Sequence, residues 1–196
     1  MNDRALHSIS IYTFEIGWLL FGIIFISRKR SPHNKTRKTD WTSVVGIVIQ
    51  TLSLPAVWIF PRRHFAPLLP LGLWFESLTT ILVIAIILVS LWTMWSALRV
   101  LGRQWSLQAR VLEDHRLIRE GPYRFVRHPI YTGILGMIIA GGLAWSHWIG
   151  FAIALVLFGI GTAIRVRSEE KLLQEQFGAA FQDYKRSVPA VLPIKF

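Results

Sequence analysis

The chain has 196 residues, 53% of them hydrophobic, a formal net charge of +11 and no cysteine. Its mean hydropathy of +0.44 exceeds that of an ordinary soluble domain, and the length suits one sizeable domain. The missing cysteine excludes disulfides and cysteine-based metal sites.

The apolar residues come in long blocks, and about 20 in a row are enough for a membrane-spanning helix. The first block, 9–26, carries Glu15 in its outer third. It reads as a span and not as a signal peptide, because Glu15 interrupts it and no small-residue cleavage site follows. The second block, 42–60, contains Pro55 and runs into a proline-rich connector at 61–70 that is unsuited to a helix. The third, 71–94, begins with Glu76 near its outer end and places Trp92 and Trp95 at its inner interface. An acidic group inside a span is a functional hint, although Glu15 and Glu76 lie close enough to the outer surface for water to reach them. The last apolar run, 129–164, is broken by Trp145-Ser-His-Trp148 and reads as a hairpin of two spans, 129–145 and 148–165. Gly133, Gly136, Ala140 and Ala144 on the first of these suit close helix approach, expected to be against the second. Gly159-x-Gly161 follows no strand, so it reads as helix packing and not as a dinucleotide loop.

The expected fold is an all-α integral membrane protein of about five transmembrane helices in one domain, 1–196, with a catalytic part at 99–196. Sorting the cations by side tests for nucleic-acid binding. Nineteen of the 22 fall in the 28–38 and 99–127 segments and from Arg165 onward; only Arg4, Arg62 and Arg63 fall on the other side. The positive-inside rule then puts the N-terminus outside and the C-terminus in the cytoplasm, and the charge needs no nucleic acid to explain it. In a prokaryote the membrane is the inner one.

Two cytoplasmic stretches carry chemistry. At 121–133 the sequence reads GPYRFVRHPIYTG. Gly121 and Pro122 mark a turn, and Pro129 suits the first position of a helix. The N–H groups of Ile130, Tyr131 and Thr132, flanked by Arg127 and His128, offer an anion site. At 165–170, Arg165 and Glu169 share one helix face, with Glu170 beside them. Their plainest reading is a surface salt bridge with a snorkelling arginine. Beyond them, Leu172, Leu173 and Phe177 continue the helix amphipathically, Gly178 weakens it, and 188–193 (VPAVLP) ends the fold. Between the third and fourth spans, 104–112 and 116–118 hold apolar and β-branched residues in runs too short to assign.

Taken together, these stretches resemble the isoprenylcysteine carboxyl methyltransferase family. The resemblance covers roughly 108–193. It rests on Gly-Pro-Tyr at 121–123, Arg-His-Pro-Ile-Tyr at 127–131, Arg-x-x-x-Glu-Glu at 165–170, Phe-Gly at 177–178, Tyr184, and Val-Pro-x-x-Leu-Pro at 188–193. It implies a membrane-embedded enzyme using S-adenosylmethionine, with the cofactor site at the cytoplasmic surface. Gln108, His115, Arg116, Leu117, Ile118, Tyr123, His128, Pro129, Ile130 and Tyr131 match cofactor-holding positions. Glu169 matches an acidic residue on the cofactor, and Arg165 an arginine acting on substrate and catalysis. Arg116 departs from the smaller residue that can stand there, so its contact is expected through the backbone. The cofactor's carboxylate suits the helix N-terminus with Arg127 or His128, its ammonium suits Glu169, and its sulfonium suits an aromatic face. A lipophilic or lipidated carboxylate acceptor, entering from the membrane lipids, needs alignment by Arg165 and no general base. The histidines form no ligand cluster, so no metal is expected. Two other readings stay open: N-methylation of a phospholipid amine, and a nicotinamide-dependent reductase sharing Arg-His-Pro-x-Tyr. Paired carboxylates at 169–170 suit an ammonium better than a 2′-phosphate.

Overall fold

A computed structural model describes residues 3–27, 36–62, 72–112 and 115–194. The basic residues Arg28, Lys29, Arg30 and Lys35 and the connector from Arg63 to Pro70 lie outside the described residues. The elements in order are α1 (Asp3–Ile26), β1 (Thr36–Thr39), α2 (Thr42–Ile59), α3 (Leu73–Leu101), β2 (Arg110–Leu112), α4 (Pro129–Ala144), α5 (Trp148–Phe177) and α6 (Ala179–Ser187). Short 3-10 turns stand at Gly102–Gln104 and Gly121–Arg124.

Four of the five expected spans are helices long and apolar enough to cross a membrane: those of α1, α2, α3 and α5. The exception is α4, which has 16 residues. At 1.5 Å per residue it reaches about 24 Å, short of a hydrocarbon core of about 30 Å. The turn at 121–128 and the hairpin at 145–147 fix its two ends. The C-terminal end of α2 and this hairpin are tied together: Arg62 N donates to Trp145 O at 2.9 Å, and His147 N to Phe60 O at 2.6 Å. The unassigned run before the motif is partly a strand, since Arg110–Leu112 pairs antiparallel with Thr36–Thr39.

The packing pairs α1 with α3, α2 with α5, and α3 with α4. The expected partner of the α4 glycines is therefore wrong. A Cβ on Gly133 would meet Ser90 O at 3.2 Å, and one on Gly136 would meet Ser90 Oγ, so these two glycines face α3 and not α5. The hairpin is short, but it turns the small-residue face sideways. The close approach to α5 comes from α2 instead. A Cβ on Gly161 would lie 2.6 Å from Gln50 N, and one on Gly46 would lie 2.7 Å from Arg165 Cγ. Two bare backbones thus bring α2 against α5 where Arg165 leaves the helix, and Gln50 Nε2 donates to Thr162 Oγ1 at 2.8 Å across the same contact. Gly159, by contrast, faces open space and packs nothing.

Candidate functional site

The turn at 121–128 is set by Gly121, whose φ of 56° favours glycine, and by buried Pro122 and Tyr123. The C-terminal strap holds it in place. Arg127 N donates to Pro189 O and His128 N to Ala190 O, each at 2.8 Å. Thr132 Oγ1 donates to Val191 O at 2.6 Å, and Tyr184 OH to Tyr123 O at 2.6 Å. The VPAVLP segment therefore does more than end the fold: its carbonyls position the start of α4.

On α5, the two carboxylates part company. Glu169 faces a cavity; its Oε1 accepts from Tyr131 OH and lies 3.6 Å from Arg165 Nη2. Glu170 turns away from the cavity. Its Oε1 accepts from Arg127 Nε at 2.9 Å and Nη2 at 2.7 Å, and its Oε2 meets Lys185 Nζ at 2.8 Å. His128 sits between the two acids, Nδ1 being 3.3 Å from Glu169 Oε2 and Nε2 3.3 Å from Glu170 Oε1. Two acceptors facing both ring nitrogens are satisfied together only by the doubly protonated ring. Burial disfavours that cation, yet hydrogen bonds to Glu169 and Glu170 outweigh it and raise the His128 pKa above 6.5.

Arg165 is no snorkelling side chain. It is 5% exposed; Nε donates to Tyr131 OH at 2.7 Å and Nη2 to Leu107 O at 2.8 Å. Its guanidinium carbon stands 5.0 Å from the Tyr131 ring centroid. The plain surface-salt-bridge reading fails with it, because a buried fork with three neighbours is not a solvated pair.

All of this surrounds a cavity of about 460 Å³, within the range of small-molecule sites. Every site residue expected from the sequence lines it. Gln108, His115, Arg116, Leu117 and Ile118 come from the segment after α3, and Tyr123, Arg127, His128, Pro129, Ile130 and Tyr131 from the turn and α4. Arg165 and Glu169 come from α5. Glu15 and Glu76 do not line it.

The sequence of this chain matches the isoprenylcysteine carboxyl methyltransferase family over residues 80–175. That match covers 96 of the 196 residues, just under half of the chain. It is 24% identical to protein YpbQ of Bacillus subtilis over 173 residues, 81% of this chain and 96% of that protein. It is 28% identical to protein-S-isoprenylcysteine O-methyltransferase of Saccharomyces cerevisiae over 119 residues, 60% of this chain and 50% of the yeast protein. It is 34% identical to methanethiol S-methyltransferase 2 of Bradyrhizobium diazoefficiens over 74 residues, 38% of this chain and 27% of that one. The chain thus spans about half the length of the yeast relative. Family and relatives together support a membrane methyltransferase.

The geometry revises two details of the family motif. Arg127 lines the cavity, but its guanidinium is occupied by Glu170 and by Val188 O and Lys185 O, so it positions the turn and is not left for a ligand carboxylate. The N–H groups of Tyr131 and Thr132 both donate to His128 O, at 3.0 and 3.2 Å; this opening turn of the helix leaves fewer donors for an anion than its sequence suggested. Arg116 is exposed, and its backbone N–H is held by Gln104 Oε1. Gln104, Leu107 and the cavity-lining residues of α1 and α2 had no signal in the motifs. Gln50 did have one, as a lone amide in an apolar span.

The buried His128 cation makes stability depend on pH. A raised folded pKa stabilises fully below the unfolded value, and that contribution is lost as pH rises through the folded value. The melting temperature is therefore expected to fall as pH rises above 6.5. His128→Gln should flatten this decline, and parallel curves for the two proteins would place the titration elsewhere.

Proposed function

We propose that this chain transfers a methyl group from S-adenosylmethionine to the carboxylate of a lipophilic, isoprenylcysteine-like acceptor at the cytoplasmic face of the membrane. The observation that carries the reading is the convergence of two motifs some forty residues apart in sequence, and of the 104–118 segment, on one cavity. The cation bias of the flanking segments supports the cytoplasmic orientation.

The residues fit the cofactor. Glu169 is a cavity-facing carboxylate with 24% of its side chain exposed, suited to an ammonium. His115 Nδ1 is buried at the cavity wall without a hydrogen-bond partner among the described residues. Burial lowers its pKa, so the ring is neutral and can donate or accept toward a ligand. Tyr123 and Tyr131 offer aromatic surface, and the segment 115–118 offers backbone. When bound, the cofactor supplies an electrophilic methyl group on a sulfonium. The chain's part is to align the acceptor. Arg165, held by Tyr131 and Leu107, presents a fixed positive charge to an acceptor carboxylate, which is already ionised and needs no base. Its burial keeps water away from that contact.

S-adenosylhomocysteine and NADPH, each added to detergent-purified protein, separate this reading from the reductase one. The first should raise the melting temperature by mass action and the second should not. Stabilisation by NADPH alone would overturn the proposal.

A further inference from the structure

The cavity continues past the polar site into an apolar arm between α1 and α2. Trp18, Phe21, Gly22 and Phe25 line it on α1, with Ile47 and Leu54 facing them on α2 and the polar Gln50 and Thr51 standing between those two. At the polar end, Phe25 packs edge-on against Trp105 with centroids 5.2 Å apart. Beyond Trp18 and Leu54 the arm stops against a chain of rings. Trp18 meets Phe14 edge-on at 6.3 Å, Phe14 stacks on Trp58 at 4.9 Å, and Trp58 meets Trp145 at 5.7 Å. Phe14 is fully buried. These contacts tie α1, α2 and the α4–α5 hairpin into a plug.

Resting on the lipophilic-acceptor reading above, we infer that this aromatic plug is a ruler for the acceptor's apolar chain, with Trp18 as its end stop. From Phe25 to Trp18 is seven residues along α1, and from Ile47 to Leu54 is seven along α2, so each wall is about 10 Å long. An extended chain advances about 1.2 Å per bonded atom. The arm therefore holds about eight atoms in line, the size of a geranyl or octyl-to-decyl chain, and not the longer prenyl chains. A chain of that size buries its whole length against side chains. A longer one must bend back or leave its end outside, and forfeits burial at about 0.8 kcal/mol per methylene.

Gly22 gives a test that leaves the fold alone. It stands one helical turn from Trp18 on the arm, and a Cβ built on it meets nothing within 4 Å among the described residues. Gly22→Leu should fill the arm half-way, while Trp18→Ala should lengthen it. Binding of butyl, decyl and hexadecyl thioglycolic acids is measured by calorimetric titration of nanodisc-embedded protein saturated with S-adenosylhomocysteine. Turnover of each acid with labelled cofactor is measured beside it. Wild type should prefer decyl over hexadecyl by about tenfold or more. Gly22→Leu should lose decyl and keep butyl, and Trp18→Ala should move the preference toward hexadecyl. Equal binding of decyl and hexadecyl by wild type, a Gly22→Leu protein that keeps decyl, or no binding at any length would overturn the ruler. A length preference that moves with the variants but brings no methyl transfer would keep the ruler and overturn the methyl-transfer reading. Methyl transfer without any length preference would do the reverse. Trp18→Ala could be unstable, and Gly22→Leu decides the matter in that case.

Discussion

Arg165→Lys is expected to lower methyl transfer by at least about tenfold, some 1.4 kcal/mol in the barrier, in a folded protein that keeps most of its cofactor affinity. The guanidinium makes one bond to Tyr131 and another to Leu107 from different nitrogens, while lying over the Tyr131 ring. A lysine keeps the charge, but its ammonium is a point on a flexible stem and cannot hold that planar two-point geometry. The acceptor carboxylate would then meet a cation whose position is not fixed, and the alignment term in the rate is lost. The measurement is turnover with tritiated methyl donor and a lipophilic carboxylate, beside a titration with S-adenosylhomocysteine. The competing view is that Arg165 only fastens α5 to the 105–109 segment. It predicts that melting temperature, cofactor affinity and turnover fall together. A folded variant with wild-type turnover would remove Arg165 from the mechanism.

Side-chain type was legible in the sequence, and partnership was not. The apolar blocks announced the helices because a membrane leaves backbone groups no alternative to internal hydrogen bonding. The two motifs marked the candidate site through their family resemblance, since the charged residues of 165–170 taken alone read as a surface salt bridge. What each charged group pairs with depends on which helix face meets which. Arg127 looked like an anion ligand beside a helix N-terminus, yet folding sets Glu170 and the strap carbonyls around it. Gly133 and Gly136 of α4 announced close packing, but only the rotation of the hairpin decides that Ser90 of α3 receives them. The strand at Arg110–Leu112 is three residues long, too short for any alternation to register. Nor does an apolar stretch such as Phe14 to Phe25 say which of its aromatic rings face lipid, which a core, and which a cavity.

The carboxylate pair gives the other large expected effect, because the two neighbouring side chains point to different surroundings, Glu169 to the cavity and Glu170 to Arg127 and Lys185. Glu169→Gln removes the charge facing the cavity. An amide can still accept from Tyr131, so the fold should survive, and cofactor affinity should drop by about 1.5–3 kcal/mol, the range for a hydrogen bond to a charged group. Glu170→Ala acts on the fold instead. Arg127 and Glu170 are each only 8% exposed, and removing one partner of a buried pair costs about 3–5 kcal/mol because the other charge stays buried alone. Lys185, 54% exposed, can follow water and offers no replacement for the lost carboxylate at Arg127. Lys185→Ala should accordingly cost less than about 1 kcal/mol. Thermal melts and calorimetric cofactor titrations on the three variants separate the roles. Glu170→Ala should show a large fall in melting temperature, and Glu169→Gln a large fall in affinity with a smaller fall in melting temperature, since buried His128 keeps Glu170 and buried Arg165 keeps Tyr131 and Leu107. Small and equal changes in both would return the two carboxylates to a solvated surface, and with them the assignment of this cavity to the cofactor.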